Sequence, residues 1–230
     1  MSTNPHSLAR VSQKDRRSPG RKSASPAPGR IDRKTRAKRH IDTRTALIRL
    51  GTEMCTERGF QVTGIDEVLK RVGVPKGSFY HFFSSKREFG EAVIDNYAQY
   101  FARKLDRLLC DPKRRPLERL AAFAREAQRG VARYQFRRGC LVGNLGQELG
   151  GLDDVFRHRL EAVLMSWQKR TARCLAEAVR SGDLPPDSDV DRLAEFFWIG
   201  WEGAILRAKL SRSVAPMKHF TEIFFAKVLT

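Results

Sequence analysis

The chain has 230 residues, 41% of them hydrophobic, so it is long and apolar enough to bury the core of one large domain or two small ones. Its 44 Lys and Arg against 26 Asp and Glu give a formal net charge of +18, which favours polyanionic partners. A wholly disordered chain is excluded. No apolar run approaches the ~18 to 20 residues that span a bilayer, so we expect a cytoplasmic protein without a membrane segment.

The four cysteines show neither CxxC spacing nor short-range clustering, so the sequence predicts no zinc ribbon and no disulfide framework. Reduced thiols fit a cytoplasmic protein best. We predict no metal and no cofactor. Three of the cysteines are interpreted as small buried hydrophobes: Cys55, Cys110 and Cys174.

Residues 1–42 form a basic stretch with few apolar side chains. They contain twelve Lys or Arg and three Asp, a charge of +9 that is half of the total. Such a segment cannot bury enough surface to offset the entropy of ordering it, so we predict a disordered tail. Its charges either lie along DNA phosphates or form a solvated segment that aids solubility.

From residue 43 onward the hydrophobic spacing is helical and no stretch alternates with a period of two, so we predict an all-α fold. A first helix of about 15 residues ends at Gly59. Its inner face holds Leu47, Leu50, Gly51 and Met54.

Two short helices follow the first helix. Thr63 is expected to cap the second helix, which Gly73-Val74-Pro75 ends. A third helix runs from Lys76 to about Phe83. These two helices and their glycine-containing turn predict a helix-turn-helix at about 65–84, within a DNA-binding domain of residues 43–88.

The third helix is expected to enter the major groove, because its inward positions are aromatic and its outward positions carry donors. Phe79, Phe82 and Phe83 would face the core. The N-termini of the second and fourth helices add free amides that can bind phosphates. The predicted DNA contacts are Thr63, Lys76, Gly77, Ser78, Tyr80, His81 and Lys86. The alternative is that the aromatic run is only the core of a small helical bundle.

The segment from Thr63 to Lys86 resembles the signature of the TetR family of bacterial one-component repressors, over about residues 42–90. Val72 stands where the family more often has alanine. The resemblance implies an N-terminal three-helix DNA-binding domain, a larger helical domain, and a two-fold dimer that binds a palindromic operator. It also implies release of double-stranded operator DNA by a small-molecule effector, and a bacterial cytoplasmic protein that is nucleoid-associated when bound to DNA.

Residues 89–230 are predicted to be the helical ligand-binding and dimerisation domain. Ser85-Lys-Arg-Glu88 is a capping-box pattern that opens a long fourth helix, which Asp111-Pro112 ends. The remaining helices are expected at about 117–134, 141–149, 153–181, 189–211 and 216–229.

The helix at 189–211 is apolar around nearly its whole circumference, which requires burial on more than one side. The simplest account is that one side packs on the core and the other on a two-fold mate, with the last helix completing the interface. A purely intramolecular core is the alternative. The predicted interface residues are Phe196, Phe197, Gly200, Gly203, Phe220 and Phe224.

Two segments indicate an effector site. Residues 137–148 are too rich in glycine for a routine helix, which suggests close backbone contact. Glu202, Arg207 and Lys209 are costly if buried unpaired, so they are interface ion pairs or pocket groups. The tryptophans of the apolar helix either wall a pocket or pack in the core.

These segments closely resemble the TetR subgroup of acrylate-utilisation regulators, and more loosely the electrophile-sensing repressors. The resemblance implies that Cys140 is a reactive thiol whose pKa is lowered by Lys209, and that the effector is acrylate, a related unsaturated acid or a coenzyme A thioester. A redox-sensing or electrophile-sensing repressor acting through Cys140 is the alternative, and Cys140 could also be an inert buried thiol. The predicted effector residues are Cys140, Asn144, Trp198, Trp201, Glu202 and Lys209.

Two other function classes are weighed. An enzyme would need a histidine base for Cys140, but His158 and His219 lie in no supporting signature, so we predict no catalytic residues. A basic architectural protein would bind random duplexes nearly as tightly as a promoter, whereas a repressor should show a specificity ratio of about 10³ or more.

Overall fold

A computed structural model describes residues 33–229, with side chains from Lys38 onward, and every regular element in that range is helical. The prediction of an all-α fold is therefore confirmed. The elements are α1 (Arg33–Arg58), α2 (Ile65–Val72), a 3₁₀ helix (Lys76–His81, the recognition helix), α3 (Lys86–Leu109), α4 (Pro116–Arg133), α5 (Leu141–Leu149), α6 (Asp154–Arg180), α7 (Val190–Ser211), α8 (Ala215–Ile223) and a π-helical turn (Phe224–Val228).

The N-terminal helix is longer than its sequence pattern predicts. α1 begins at Arg33 and spans 26 residues, so the prediction of a disordered tail is wrong for residues 33–42, whose backbone is helical. Strong helix formers in this stretch extend α1 beyond its apolar face. Residues 1–32 of the predicted tail lie outside the described residues.

The DNA-binding unit packs α1, α2 and the recognition helix around a small aromatic core. Phe79 and Phe83 are buried against Phe89 of α3, with edge-to-face or tilted rings 5.1 to 5.9 Å apart. Gly51 lies against the Phe89 ring and leaves no room for a Cβ, which lets α1 and α3 approach closely. The recognition helix is thereby fixed to the long helix that continues into the second domain.

Helix ends follow the expected stop and start signals in most places. Gly73 has φ +78° and its N–H closes the C-terminus of α2. Ser85 caps α3 as predicted, since its Oγ accepts from the Glu88 N–H at 3.1 Å. The reciprocal half of the predicted capping box is displaced by one residue, because the Glu88 carboxylate accepts from the Ser84 N–H at 2.6 Å. The observed bounds of α4 to α7 agree with the predicted ones to within about two residues.

The larger domain is a bundle of α3, α4, α6 and α7 with an aromatic core, and α8 packs against α7. Its largest buried rings are Phe123, Phe197, Trp167, Trp198 and Trp201. The short helix α5 contacts α1, α3 and α6, so it lies between the larger domain and the first helix of the DNA-binding unit. None of the helices within residues 33–229 is long and apolar enough to cross a membrane.

Candidate DNA-reading face and effector cavity

The recognition helix presents its polar residues outward. Tyr80 is 76% exposed, and Lys76, Gly77 and His81 are also exposed, while Ser78 is half-buried. Lys76, Tyr80 and His81 are thus exposed as predicted, and the contacts of these residues with DNA stay a prediction. Lys76 Nζ donates to Asp66 at 2.7 Å, and this hydrogen bond raises the pKa of Lys76. A DNA phosphate would compete with the exposed Asp66 carboxylate for the same ammonium.

Thr63 does not cap α2, and its side chain does not face DNA. Gly64 occupies the N-cap position, and Thr63 is fully buried. Its hydroxyl donates to the Gly59 carbonyl at 2.6 Å and accepts from the Cys55 thiol at 3.8 Å. The prediction of Thr63 as the cap of α2 is therefore wrong, because the turn after α1 satisfies its hydroxyl internally. The predicted phosphate contact through the amides at this helix N-terminus stays a prediction.

Lys86 stands in the first turn of α3, half-buried beside the turn that follows α1. Its Nζ donates to the Gln61 carbonyl at 3.0 Å and lies 5.0 Å above the centre of the Phe60 ring. Its contact with a phosphate stays a prediction.

A cavity of about 380 Å³ opens between α1, α3, α4, the start of α5 and α7. This volume falls in the usual range for a small-molecule site. Three of the predicted effector residues line it: Cys140, Trp201 and Glu202. Its other polar lining residues include Arg49, Thr52, Glu53, Thr56, Asn96, Tyr97, Tyr100, Lys104, Tyr134 and Arg138.

The other three predicted effector residues do not line this cavity. The Trp198 indole N–H donates to Thr171 Oγ1 at 3.0 Å in the core between α6 and α7. The Asn144 amide donates to the Thr56 carbonyl at 2.9 Å. Lys209 Nζ donates to the Glu57 carbonyl at 3.4 Å and lines a separate surface groove. An effector in this cavity would therefore not contact these three side chains directly.

Cys140 occupies the N-cap position of α5 and is buried in the cavity wall. The Tyr97 hydroxyl donates to its sulfur at 3.9 Å. Burial raises the pKa of the Cys140 thiol well above its usual range, and the neighbouring Glu202 carboxyl raises it further. The prediction that Lys209 lowers this pKa is wrong, because the charged neighbour of Cys140 is an acid.

Of the other three cysteines, two are buried and one is exposed. Burial raises the pKa of Cys55 to about 11 and of Cys174 to about 12, so both fit the predicted inert role. Cys110 is exposed at the end of α3, which corrects the prediction that it is buried. Within residues 38–229 no group of three or more His, Cys, Asp or Glu side chains could hold a metal ion.

Glu202 is the unusual polar group of the cavity. Its Oε1 is buried and has no hydrogen-bond partner among the described side chains and backbone. Burial raises the pKa of this carboxyl to about 7. The carboxyl lies against Gly143 of α5, where any Cβ would collide with it. Gly143 of the glycine-rich segment is thus explained by close approach to an acid on α7, whereas Gly146 has nothing within 4 Å of its Cβ position.

Two of the cations that line the cavity are held in ion pairs. Arg138 forms ion pairs with Glu53 and with Glu57, the latter at 2.9 Å, and its guanidinium lies 4.1 Å from the centre of the Tyr134 ring. Lys104 lies 3.4 Å from a carboxylate oxygen of α4. Both cations keep partial exposure, so they can attract an anionic ligand to the cavity.

Helix α5 connects the cavity to the DNA-binding unit. Cys140 at its start lines the cavity, and Asn144 one turn later bonds to the last turn of α1. A further turn along, the Glu148 carboxylate accepts from the N–H groups of Phe60 at 2.7 Å and of Gln61 at 2.5 Å. Both amides belong to the turn that leads into α2, so a shift of α5 would act directly on the helix-turn-helix.

An apolar stripe remains exposed on α7. Its members recur at spacings of three and four residues, which places them on one helix face. Ile199 is 66% and Leu210 71% exposed, and the full stripe consists of Phe196, Ile199, Gly203, Leu206 and Leu210.

The remaining predicted interface residues lie inside the protomer or against it. Phe197 and Phe224 are completely buried in contact with each other, which corrects their assignment to the interface. Gly200 lies against the half-buried Phe220 ring, so it serves the packing of α7 on α8. Of the predicted set, Phe196 and Gly203 are exposed.

Comparisons with known proteins agree with this architecture. A family model described as bacterial regulatory proteins, tetR family, matches residues 47–93, and one described as tetracyclin repressor-like, C-terminal domain, matches residues 116–224. The chain belongs to the TetR family.

Similar proteins extend this assignment. The transcriptional regulator AcuR of Cereibacter sphaeroides is 55% identical over 179 residues, which cover 78% of this chain and 82% of the relative. The repressor NemR of Escherichia coli is 29% identical over 178 residues, covering 77% and 89%. The crystal structure of a regulatory protein TetR from Rhodobacter sphaeroides matches with a TM-score of 0.76 and 54% identity, covering 80% of this chain and 97% of that one.

These matches confirm the resemblance to the TetR family and to its acrylate-utilisation subgroup. This TetR-family protein is a helix-turn-helix transcriptional repressor, and its relatives are DNA-binding regulators that are not enzymes.

Sequence reasoning missed two groups that complete the site in this TetR-family protein. Tyr97 lies within the apolar pattern of α3, and no sequence signal distinguishes its hydroxyl from that of a core tyrosine. Glu148 closes the glycine-rich segment, and its spacing of eight residues from Cys140, two helical turns, was the available signal.

Proposed function

We propose that this repressor binds a palindromic operator as a two-fold dimer and releases it when a small acid or its thioester occupies the cavity at Cys140 and Glu202. Acrylate, a related unsaturated acid and its coenzyme A thioester are the proposed effectors. The observation that carries the proposal is the connection from the cavity through α5 to the turn before α2, on a chain similar to AcuR over most of its length.

The DNA-reading part of the proposal rests on the exposed face of the recognition helix. Tyr80, His81 and Lys76 supply donors at positions where base edges and phosphates are within reach. Gly77 is exposed, and its Cβ position is open, so backbone can approach DNA closely there. A two-fold dimer would place two such helices about 34 Å apart, one turn of DNA.

The dimer part rests on the exposed stripe of α7. Spacings of three and four residues are the pattern by which two helices bury a shared seam. Gly203 has nothing within 4 Å of its Cβ position, so a partner helix can approach closely at the centre of the stripe. The stripe includes Ile199 and Leu210, whose exposure in the protomer would otherwise leave a contiguous apolar patch.

The effector part favours non-covalent capture. Addition of a thiol to an unsaturated acid forms a sulfur–carbon bond at the β-carbon and places the proton on the α-carbon, and it proceeds through the thiolate. Burial and Glu202 oppose ionisation of Cys140. The thiol therefore serves as a contact and weak donor, and the electrophile-sensing alternative would require a change in this environment.

Release would follow from movement of α5. An occupant of the cavity contacts Cys140 at the first turn of α5 and Glu202 opposite Gly143. Displacement there would be transmitted by the Glu148 carboxylate to the turn before α2. The change in spacing or tilt of the two recognition helices lowers operator affinity.

Operator release measured against acrylate and acryloyl-coenzyme A tests the proposal. Wild-type protein is expected to release a promoter fragment, and Cys140→Ser is expected to keep most of that response without any covalent adduct by mass spectrometry. Cys110→Ser is the matched control for an exposed thiol. If neither acrylate nor acryloyl-coenzyme A releases the promoter fragment, the proposed effector class is contradicted. Loss of release in Cys140→Ser together with an adduct on wild-type Cys140 would establish the electrophile-sensing alternative.

A further inference from the structure

The cavity contains one carboxyl with a buried oxygen that has no hydrogen-bond partner among the described residues. Glu202 Oε1 has no hydrogen-bond partner among the described residues, although α5 gives up a side chain at Gly143 to accommodate the carboxyl. A buried polar group of this kind costs free energy unless a ligand completes it. We therefore consider Glu202 as a recognition group.

The groups that face the cavity decide what Glu202 can recognise. They come from α1, α3 and the segment before α5, and the titratable or charged ones are Arg49, Glu53, Tyr97, Tyr100, Lys104, Tyr134, Arg138 and Cys140. Of the cations among them, Lys104 and Arg138 are paired with carboxylates of α4 and α1, whereas the hydroxyl of Tyr97 and the thiol of Cys140 lie beside Glu202. The neutral donors beside Glu202 therefore favour a ligand that presents hydrogen-bond acceptors there.

We propose that Glu202 binds the effector as a neutral carboxylic acid, so that the cavity selects a small monocarboxylate and takes up one proton when that anion binds. This inference rests on the proposed function of the same cavity. Two ionised carboxylates cannot share a poorly solvated site without strong repulsion, so one of them must hold a proton. The shared proton forms a short O–H···O⁻ hydrogen bond between Glu202 and the ligand.

The proton balance gives the inference a measurable signature. The pKa of Glu202 is raised by burial to about 7. Well above that pH the free protein holds an ionised Glu202, and each bound carboxylate must bring one proton from solution. The apparent Kd should therefore increase about tenfold for each pH unit above about 7, and should be nearly constant below about pH 6.

Calorimetric titration of the whole protein with acrylate and with propionate tests this at about pH 6 and about pH 8.5. At the higher pH, two buffers of different ionisation enthalpy report the number of protons taken up, which is expected to approach one per acid. Glu202→Gln keeps the shape and supplies an amide N–H donor, so its Kd should be nearly independent of pH with no proton uptake. Glu195→Gln, at an exposed position on the same helix, should behave as wild type.

A wild-type Kd that is independent of pH, with no proton uptake, would overturn the inference. Tight binding of allylamine in place of the acids would also overturn it, since a cation requires ionised Glu202. The inference would also be overturned if neither acrylate nor propionate binds. Operator release is followed in parallel. If acrylate releases the operator but its Kd does not depend on pH, the inference is overturned and the proposed function stands. If acrylate binds with proton uptake but does not release the operator, the inference is supported and the proposed function is contradicted.

Discussion

The carboxylate of Glu148 is the most direct connection between α5 and the helix-turn-helix, so Glu148→Ala should separate effector binding from operator release. The substitution removes two hydrogen bonds, to the Phe60 N–H at 2.7 Å and the Gln61 N–H at 2.5 Å. It leaves the cavity intact, because Cys140 and Glu202 lie two helical turns away or on another helix. The effector should still bind.

The magnitude follows from the type of bond lost. A hydrogen bond to a charged group contributes about 1.5 to 3 kcal/mol when buried, and less where water replaces it. The Gln61 amide is exposed and the Phe60 amide is partly buried, so the coupling should weaken by about 1 to 3 kcal/mol in total. The factor by which effector weakens operator binding should then fall about 5-fold to 150-fold.

The assay is operator Kd by fluorescence anisotropy, without effector and at saturating acrylate, together with effector Kd on the free protein by calorimetry. Gln147→Ala is the matched control, because Gln147 is the exposed neighbour on α5. The ratio of the two operator Kd values should fall in Glu148→Ala and stay unchanged in the control. A wild-type ratio in Glu148→Ala would refute the transmission through α5. Loss of effector binding itself would show instead that Glu148 shapes the cavity.

Three further predictions follow from the same geometry. Tyr80→Ala and Lys76→Ala should each weaken operator binding by about 1 to 3 kcal/mol with unchanged thermal unfolding, and an unchanged DNA footprint in both would exclude the recognition helix. Ile199→Glu should dissociate the dimer in sedimentation experiments while the protomer stays folded. Phe197→Ala, at a buried position, should instead lower the free energy of unfolding by about 3 to 5 kcal/mol. An Ile199→Glu variant that stays dimeric would contradict the proposed interface. Because the pKa of Glu202 rises from 4.5 to about 7 on folding, ionising this group costs stability as pH rises between these values. In denaturant unfolding at about pH 8, Glu202→Gln should therefore be more stable than wild type by up to about 3 kcal/mol. Near pH 4 the variant should show no such gain in stability. An equal difference in stability at both pH values would contradict the raised pKa of Glu202.

The helix-turn-helix was predictable because its signals are local. Spacing alone places Phe79 and Phe83 inward, and Gly73 marks the end of α2. The failure at Thr63 is also local in origin. Thr63 has the right chemistry for an N-cap, but the turn after α1 brings the Gly59 carbonyl within 2.6 Å of its hydroxyl, and Gly64 takes the cap position instead.

The interface was predictable in kind but not residue by residue. An all-round apolar helix requires two buried sides, and composition cannot show which side is internal. The structure divides them, since Phe197 is fully buried while Phe196 next to it is half exposed. A one-residue step along a helix turns the side chain by about 100°, so adjacent phenylalanines serve different surfaces.

The predicted pairing of Cys140 with Lys209 is wrong because a resemblance identifies residue types but does not show how far apart the side chains lie. Glu202 and Lys209 are seven residues apart on α7, two turns on one face and about 10 Å along its axis. The start of α5 meets α7 at Glu202, so Lys209 lies two turns further on, beside the end of α1, where its ammonium donates to the Glu57 carbonyl. A contact between the ammonium and the sulfur would require α5 to slide along α7 by about that distance. The bonds of Asn144 and Glu148 to α1 and the turn after it oppose such a movement, so in this arrangement the thiol is governed by the acid beside it.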